Sequence, residues 1–323
     1  MKRVIAILMA LAMIFSLAAC GSSGADGKAT TMTMGTGGTA GTYYGYGGIL
    51  GTQIKNSSGI TVNVVSTDGS KANILGIDAG NYQLGTVQSD VMAYGWEGSR
   101  TFEQEGKLDS FRVIGGLYAE AVQLITMDPA IKSVADLKGK KVSIGAAGSG
   151  VYFNAVDILA AAGLTEKDIQ PQYQSFADSA DALKDGKIDA AFIVAGAPTP
   201  AIQELCTTAK AYLVPVDGDV AKKLMETSPY YTTYKIPAKT YDGQEKEVTT
   251  VTVKATLIVS ASASEDDVYN ITKAIFDNVD AITEAHAKGA ELSIENATDG
   301  ITVPFHAGAA KYFKEKGVTV ETK

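Results

Sequence analysis

Past residue 30 the chain alternates short apolar runs with longer stretches whose apolar residues recur every three or four positions. That is the pattern of an α/β protein in which strands and helices take turns and the sheets are mainly parallel. Strands are expected at 31–34, 61–66, 83–87, 111–117, 122–127, 141–144, 190–194, 211–215 and 251–260. The strongest helix is expected over 265–288, where Val268, Ile271, Ile275, Val279 and Ile282 keep helical spacing. Ser264 followed by Asp267 supplies its capping-box start.

Two segments break this alternation with glycine. Residues 34–48, MGTGGTAGTYYGYGG, run from an apolar strand through a glycine-dense turn into a helix. Residues 141–159, KVSIGAAGSGVYFNAVDIL, repeat that order. Glycine lets the backbone approach a ligand closely, and the free N–H groups of a helix start favour a carboxylate or phosphate. Residues 78–87 also line up with 184–193, each a helix stopped by glycine and turned straight into a buried strand. The strand ends that follow, Ser89-Asp90 and Ala195-Gly196-Ala197-Pro198, lie where open parallel sheets place their ligands. Two similar halves facing one cleft are the expected arrangement.

Residues 1–20 carry Lys2 and Arg3, an apolar run and then Leu17-Ala18-Ala19-Cys20, a secretory leader ending in a lipobox. The run is shorter than the roughly 20 residues a membrane span needs. Residues 1–19 are therefore read as a cleaved signal peptide, Cys20 as the lipidated residue, and 20–30 as a flexible tether to the outer face of the cell membrane. Cys206 is the only other cysteine, so no intrachain disulfide is expected. Formal charge is −8, and loss of Lys2 and Arg3 makes it more negative still, which argues against nucleic acid as a partner.

In their order and spacing GTGGTAGTYYGYGG at 35–48, VQSD at 87–90, DLKGKKVSIGAAGSG at 136–150, ALKDGKIDAAFIVAGAPTPAIQEL at 182–205 and VPFHAGAAKYF at 303–313 resemble the TAXI family of TRAP-transporter solute-binding proteins. The resemblance implies a type II periplasmic-binding-protein fold, two α/β lobes joined by a two-strand hinge. Mapped here, lobe I is 31–121 plus 261–323 and lobe II is 122–260. It further implies a monomeric, non-enzymatic receptor that captures a small carboxylate, such as glutamate or 2-oxoglutarate, and delivers it to integral-membrane TRAP subunits. An ABC-importer binding protein or a ligand-sensing lipoprotein of the same fold is the alternative.

Other chemistries find less support. Gly35-Thr36-Gly37-Gly38-Thr39-Ala40 formally matches a dinucleotide fingerprint, but 53–56 offer no ribose-binding acid, so no cofactor is expected. His286 and His306 belong to no metal spacing, and no metal is expected. His286 reads as a surface helix residue, Cys206 as a buried small hydrophobe, and Ser149 lacks a nucleophile-elbow frame. His306 either anchors the C-terminal segment or contacts ligand. The only arginines are Arg3, Arg100 and Arg112, none in the proposed loops, which leaves anion binding to N–H groups and hydroxyls. The expected pocket takes Gly37, Gly38, Thr39 and Tyr43, then Ser89, Asp90 and Tyr118, then Ser149, Gly150 and Val151, and finally Ala195, Gly196, Ala197 and Pro198. Asp90 either accepts from a substrate ammonium or caps its helix, and Tyr44 and Tyr46 either face ligand or pack against the sheet.

Overall fold

The structure, a computed structural model, describes residues 30–323; Cys20 and the leader lie outside the described residues. Strand β1 (Thr31–Gly35) pairs in parallel with β2 (Thr61–Val65) on one side and β3 (Leu84–Gln88) on the other. Helices α1 (Thr42–Ser58) and α2 (Ser70–Asp78) make the two crossovers, and α3 (Ser89–Glu97) follows β3 directly. All five residues of β3 are buried, as a central strand covered on both faces requires.

The same construction returns in β5 (Lys141–Ser143), α4 (Val151–Ala161), β6 (Gln170–Gln172), α5 (Phe176–Lys184) and the wholly buried β7 (Ala190–Ala195). Here β5 pairs in parallel with both β6 and β7. Next come α6 (Pro200–Thr208), β8 (Tyr212–Val214), α7 (Gly218–Thr227) and β9 (Thr232–Ile236).

Two long strands join the halves. β4 (Phe111–Thr126) and β10 (Val248–Ser260) run antiparallel to each other, giving the order β2-β1-β3-β10-β4-β7-β5-β6, with β8 on β4 and β9 on β10. The first part of β10 pairs with β9 and residues 255–259 pair with β3. By pairing, β10 therefore changes halves near Thr252 and Val253, before the division at 260 read from the sequence. The chain ends in α8 (Glu265–Phe276), α9 (Val279–Ala285), α10 (Ile294–Thr298) and α11 (Ala307–Glu315). One apolar core packs around the first half, from Met34 and Leu50 to Ile275 and Phe313. Two others cover opposite faces of the second half's sheet, around Phe192 and Ile193 respectively.

Three expectations need correction. The strands at 111–117 and 122–127 are one, because Ala119 and Glu120 stay extended opposite Lys254 and Val253. The helix over 265–288 stops at Phe276: Asn278 leaves helical geometry, and the Asp277 carboxylate instead accepts from Tyr312 and Lys316 of the C-terminal segment. His286, beyond the end of α9, is no surface helix residue; its ring meets Tyr46 edge-on at 5.4 Å.

Candidate functional site

Four helices start around one cavity. In each case a strand ends in a short loop that becomes the next helix: β1 to α1, β2 to α2, β5 to α4 and β6 to α5. The loops contribute residues 37–43, 66–70, 146, 149–151 and 174–177 to a cavity of about 370 Å³. That lies at the small end of the roughly 300–1,000 Å³ usual for ligand pockets. The first three helices have glycine N-caps, Gly41, Gly69 and Gly150, with no side-chain capping bond; Ser175 of α5 alone accepts from its own Asp178 N–H. Uncapped starts leave N–H groups available, and each favours an anion by about 0.3–1 kcal/mol, up to ~2 when partly buried.

Buried side chains hold the loops in place. Asn73 in α2 donates to Thr36 O at 2.6 Å and Thr86 O at 2.7 Å, tying the ends of β1 and β3 together. Thr67 donates to Thr36 O at 2.9 Å, and Ser66 donates to Gly37 O at 3.0 Å. Gly69 sits at φ +107° and ψ −146°, a region essentially reserved for glycine. At Gly150 the requirement is space, since a Cβ there would fall 1.7 Å from Gln88 Oε1.

The halves touch around the cavity. Thr42 Oγ1 donates to Gly196 O at 2.9 Å, Ala201 N to Ala40 O at 3.1 Å, and Ala72 N to Gly148 O at 3.3 Å. None of the residues lining the cavity is basic, and two are acidic, Asp68 and Glu120. Asp68 is exposed, whereas Glu120 is buried at 2% exposure and takes a hydrogen bond from the Tyr43 hydroxyl. Burial raises the Glu120 pKa to about 8, opposed by its bonds from Tyr43 and Gln88. Gln88 is equally buried, and its Oε1 has no hydrogen-bond partner.

Of the residues singled out in the sequence, Gly37, Gly38, Thr39, Tyr43, Ser149, Gly150, Val151 and Ala195 line this cavity. Ser89, Asp90, Tyr118, Gly196, Ala197 and Pro198 do not. Ser89 Oγ accepts from Lys254 N at 3.3 Å, and Asp90 is fully buried against Asn154. Tyr118 packs edge-on against the buried Tyr46 at 5.0 Å, and Gly196 offers its carbonyl to Thr42 and Thr199. His306 caps α11, with Nδ1 accepting from Gly308 N at 3.2 Å and Nε2 lying 3.1 Å from Ala263 O. Cys206 is half-buried. The 66–70 and 174–177 loops, Gln88 and Glu120 join the lining without having been singled out. Their available signal was the strand-to-helix step itself, since those loops lack dense glycine.

Residues 34–317 match the sequence profile of the NMT1-like family, across most of the described chain. The chain belongs to the NMT1-like family. The fold of this NMT1-like protein is that of the periplasmic binding proteins. It is similar to the alkanesulfonate-binding protein SsuA from Xanthomonas axonopodis pv. citri bound to MOPS, with TM-score 0.51 and 15% identity over 89% of this chain and 91% of that one. A Listeria monocytogenes protein provisionally described as an L-cystine ABC transporter gives TM-score 0.52 and 19% identity over 82% of this chain and 98% of that one. PhnD1 from Prochlorococcus marinus in complex with methylphosphonate gives 0.53 and 10%, over 80% and 89%. Among the described residues of the NMT1-like chain, no cluster of His, Cys, Asp or Glu is arranged to hold a metal.

Proposed function

We propose that this protein is a non-enzymatic, extracytoplasmic solute-binding receptor whose halves close on a small anionic solute and deliver it to a membrane importer. The observation that carries the reading is the convergence of four helix starts on one small cavity with no basic lining residue. Carboxylates the size of glutamate or 2-oxoglutarate suit such a cavity, and hydrogen bonds to a charged group contribute about 1.5–3 kcal/mol each.

Two importer classes are read as partners. The fold likeness to a protein described as an ABC transporter supports an ABC importer, the better supported of the two. The order of the 35–48, 136–150, 182–205 and 303–313 motifs supports TRAP subunits. Lipid attachment at Cys20 would hold the receptor at the outer face of the membrane.

Mass spectrometry of the solute that co-purifies with the protein, followed by calorimetry with that solute, tests the reading. A small acid is expected. A neutral sugar or a bare cation bound instead would overturn it. Co-purification of the receptor with ATPase-linked or with TRAP membrane subunits from its native cells decides the importer class.

A further inference from the structure

The cavity carries a second pole that anion binding leaves unused. Glu120 projects from β4, the strand shared by both halves, into the wall opposite no basic residue. Its polar neighbours are arranged for a carboxylate: the Tyr43 hydroxyl and the Gln88 side chain both bond it in the sense that favours ionisation. Beside it Gln88 Oε1, in a residue 2% exposed, has no donor. Glu120 has donors in Tyr43 and Gln88, whereas the Gln88 amide carbonyl beside it lines the cavity, enclosed, with no donor, and a buried acceptor costs free energy until one arrives.

We propose that Glu120 and the Gln88 side-chain carbonyl form an ammonium subsite, so that the solute is a zwitterion whose amine lies here while its acid group lies at the helix starts. This rests on the anion-binding reading given above. A neutral donor toward a second acid group could be a serine or an amide and would need no buried carboxyl. A carboxyl is required only where a cation is to be met, and the protein supplies none within the cavity.

The subsite has a protonic signature. With its pKa near 8, Glu120 is mostly protonated at pH 7 in the empty site. Pairing with an ammonium favours the carboxylate, so the Glu120 proton passes to buffer as the solute binds. The other charged or titratable groups around it are Tyr43 from α1, Asp90 from α3, Tyr118 on its own strand and Lys288, already paired with Glu291 at 2.6 Å. Tyr43 and Tyr118 are held well above their usual range, so neither tyrosine supplies that proton.

The test compares glutamate with 2-oxoglutarate, which differ in amine against ketone, by calorimetry at pH 7 in two buffers of different ionisation enthalpy. Glutamate is expected to bind at least about 10-fold more tightly and to release about one proton per molecule. Glu120→Gln should weaken glutamate by roughly 100-fold, abolish the proton release and leave 2-oxoglutarate within about 3-fold. Gln88→Leu should weaken glutamate alone, and thermal unfolding checks that both variants fold. Tighter binding of 2-oxoglutarate, or undiminished glutamate binding by Glu120→Gln, overturns the ammonium subsite while leaving the anion site standing. Binding of simple amines without any acid-bearing compound overturns the anion reading, and the zwitterion with it.

Discussion

Asn154 reaches Asp90 across the boundary between the two halves of the sheet, donating its amide to Asp90 Oδ2 at 2.9 Å. Both side chains are fully buried, and the same amide donates to the Tyr231 hydroxyl at 2.7 Å. Asp157, one turn further along α4, pairs with Arg100 at 2.5 Å. Asp90 and Arg100 come from the first half and Asn154, Asp157 and Tyr231 from the second, so this cluster joins the two halves outside the cavity lining.

Removing the shared donor should therefore be costly. Asn154→Ala leaves Asp90 and the Tyr231 hydroxyl without it in a dry setting, and is expected to lower the unfolding free energy by about 1–3 kcal/mol. Urea denaturation measures this, and a loss below about 0.5 kcal/mol, typical of a surface change, would contradict the assignment.

Burial raises Asp90 to about 7 and Glu120 to about 8, both above their unfolded values. Between the unfolded and folded values the native state holds more protons than the unfolded chain. Stability contributed by these two protons is complete below about pH 4 and declines as pH rises through 7 and 8. Asp277, whose pKa is depressed, loses its contribution only on acidification below that window. Melting temperature is thus expected to fall from pH 5 to pH 8 in the native protein, and less steeply in the Asp90→Asn, Glu120→Gln double variant. Parallel slopes would show that neither proton is held on folding.

Gly150→Val is expected to abolish solute binding while the fold survives. The backbone at 150 is already helical, so valine is tolerated there, but its Cβ displaces Gln88 from the cavity wall. Lys71→Ala removes a cation paired with Glu105 at 3.0 Å, not a lining residue, and should change affinity by less than about 3-fold. Calorimetry on both variants checks this; the reverse ranking would mean that side-chain charge, and not the helix starts, holds the anion.

Contacts such as Thr42 to Gly196 and Ala72 to Gly148 join the halves directly at the cavity, so under the proposed function entry and release of a solute are expected to break them. A solute at 100 times its Kd should add about 2.7 kcal/mol of stability, roughly 5 °C in Tm, and should narrow the radius of gyration in X-ray scattering. A bound solute that leaves the radius unchanged would mean that the halves do not swing.

Much of this was legible in the residue pattern. The buried strand β7 is a continuous apolar run, β3 follows a glycine-stopped helix, and the loops at 37–43 and 146–151 declare themselves by glycine. β6 and β9 escape notice because Gln170-Pro171-Gln172 and Thr232-Thr233-Tyr234-Lys235 carry almost no apolar signal. Glu120 is hidden for a related reason. A charged residue between two apolar runs reads as the gap between strands, and only the pairing with Val253 shows that the chain stays extended there and turns the carboxyl inward. Asp90 illustrates the converse: a strand-end acid is well placed for a ligand, yet its position at the start of α3 points it at Asn154.

The uncapped helix starts have an evolutionary consequence. Main-chain N–H groups persist under any substitution except proline, so a change in these loops that adds no bulk toward the cavity leaves the donors in place. Heritable change in what is carried then falls on the few side chains that face inward. A lineage built on this scaffold would keep its main-chain donors while the inward-facing side chains diverge.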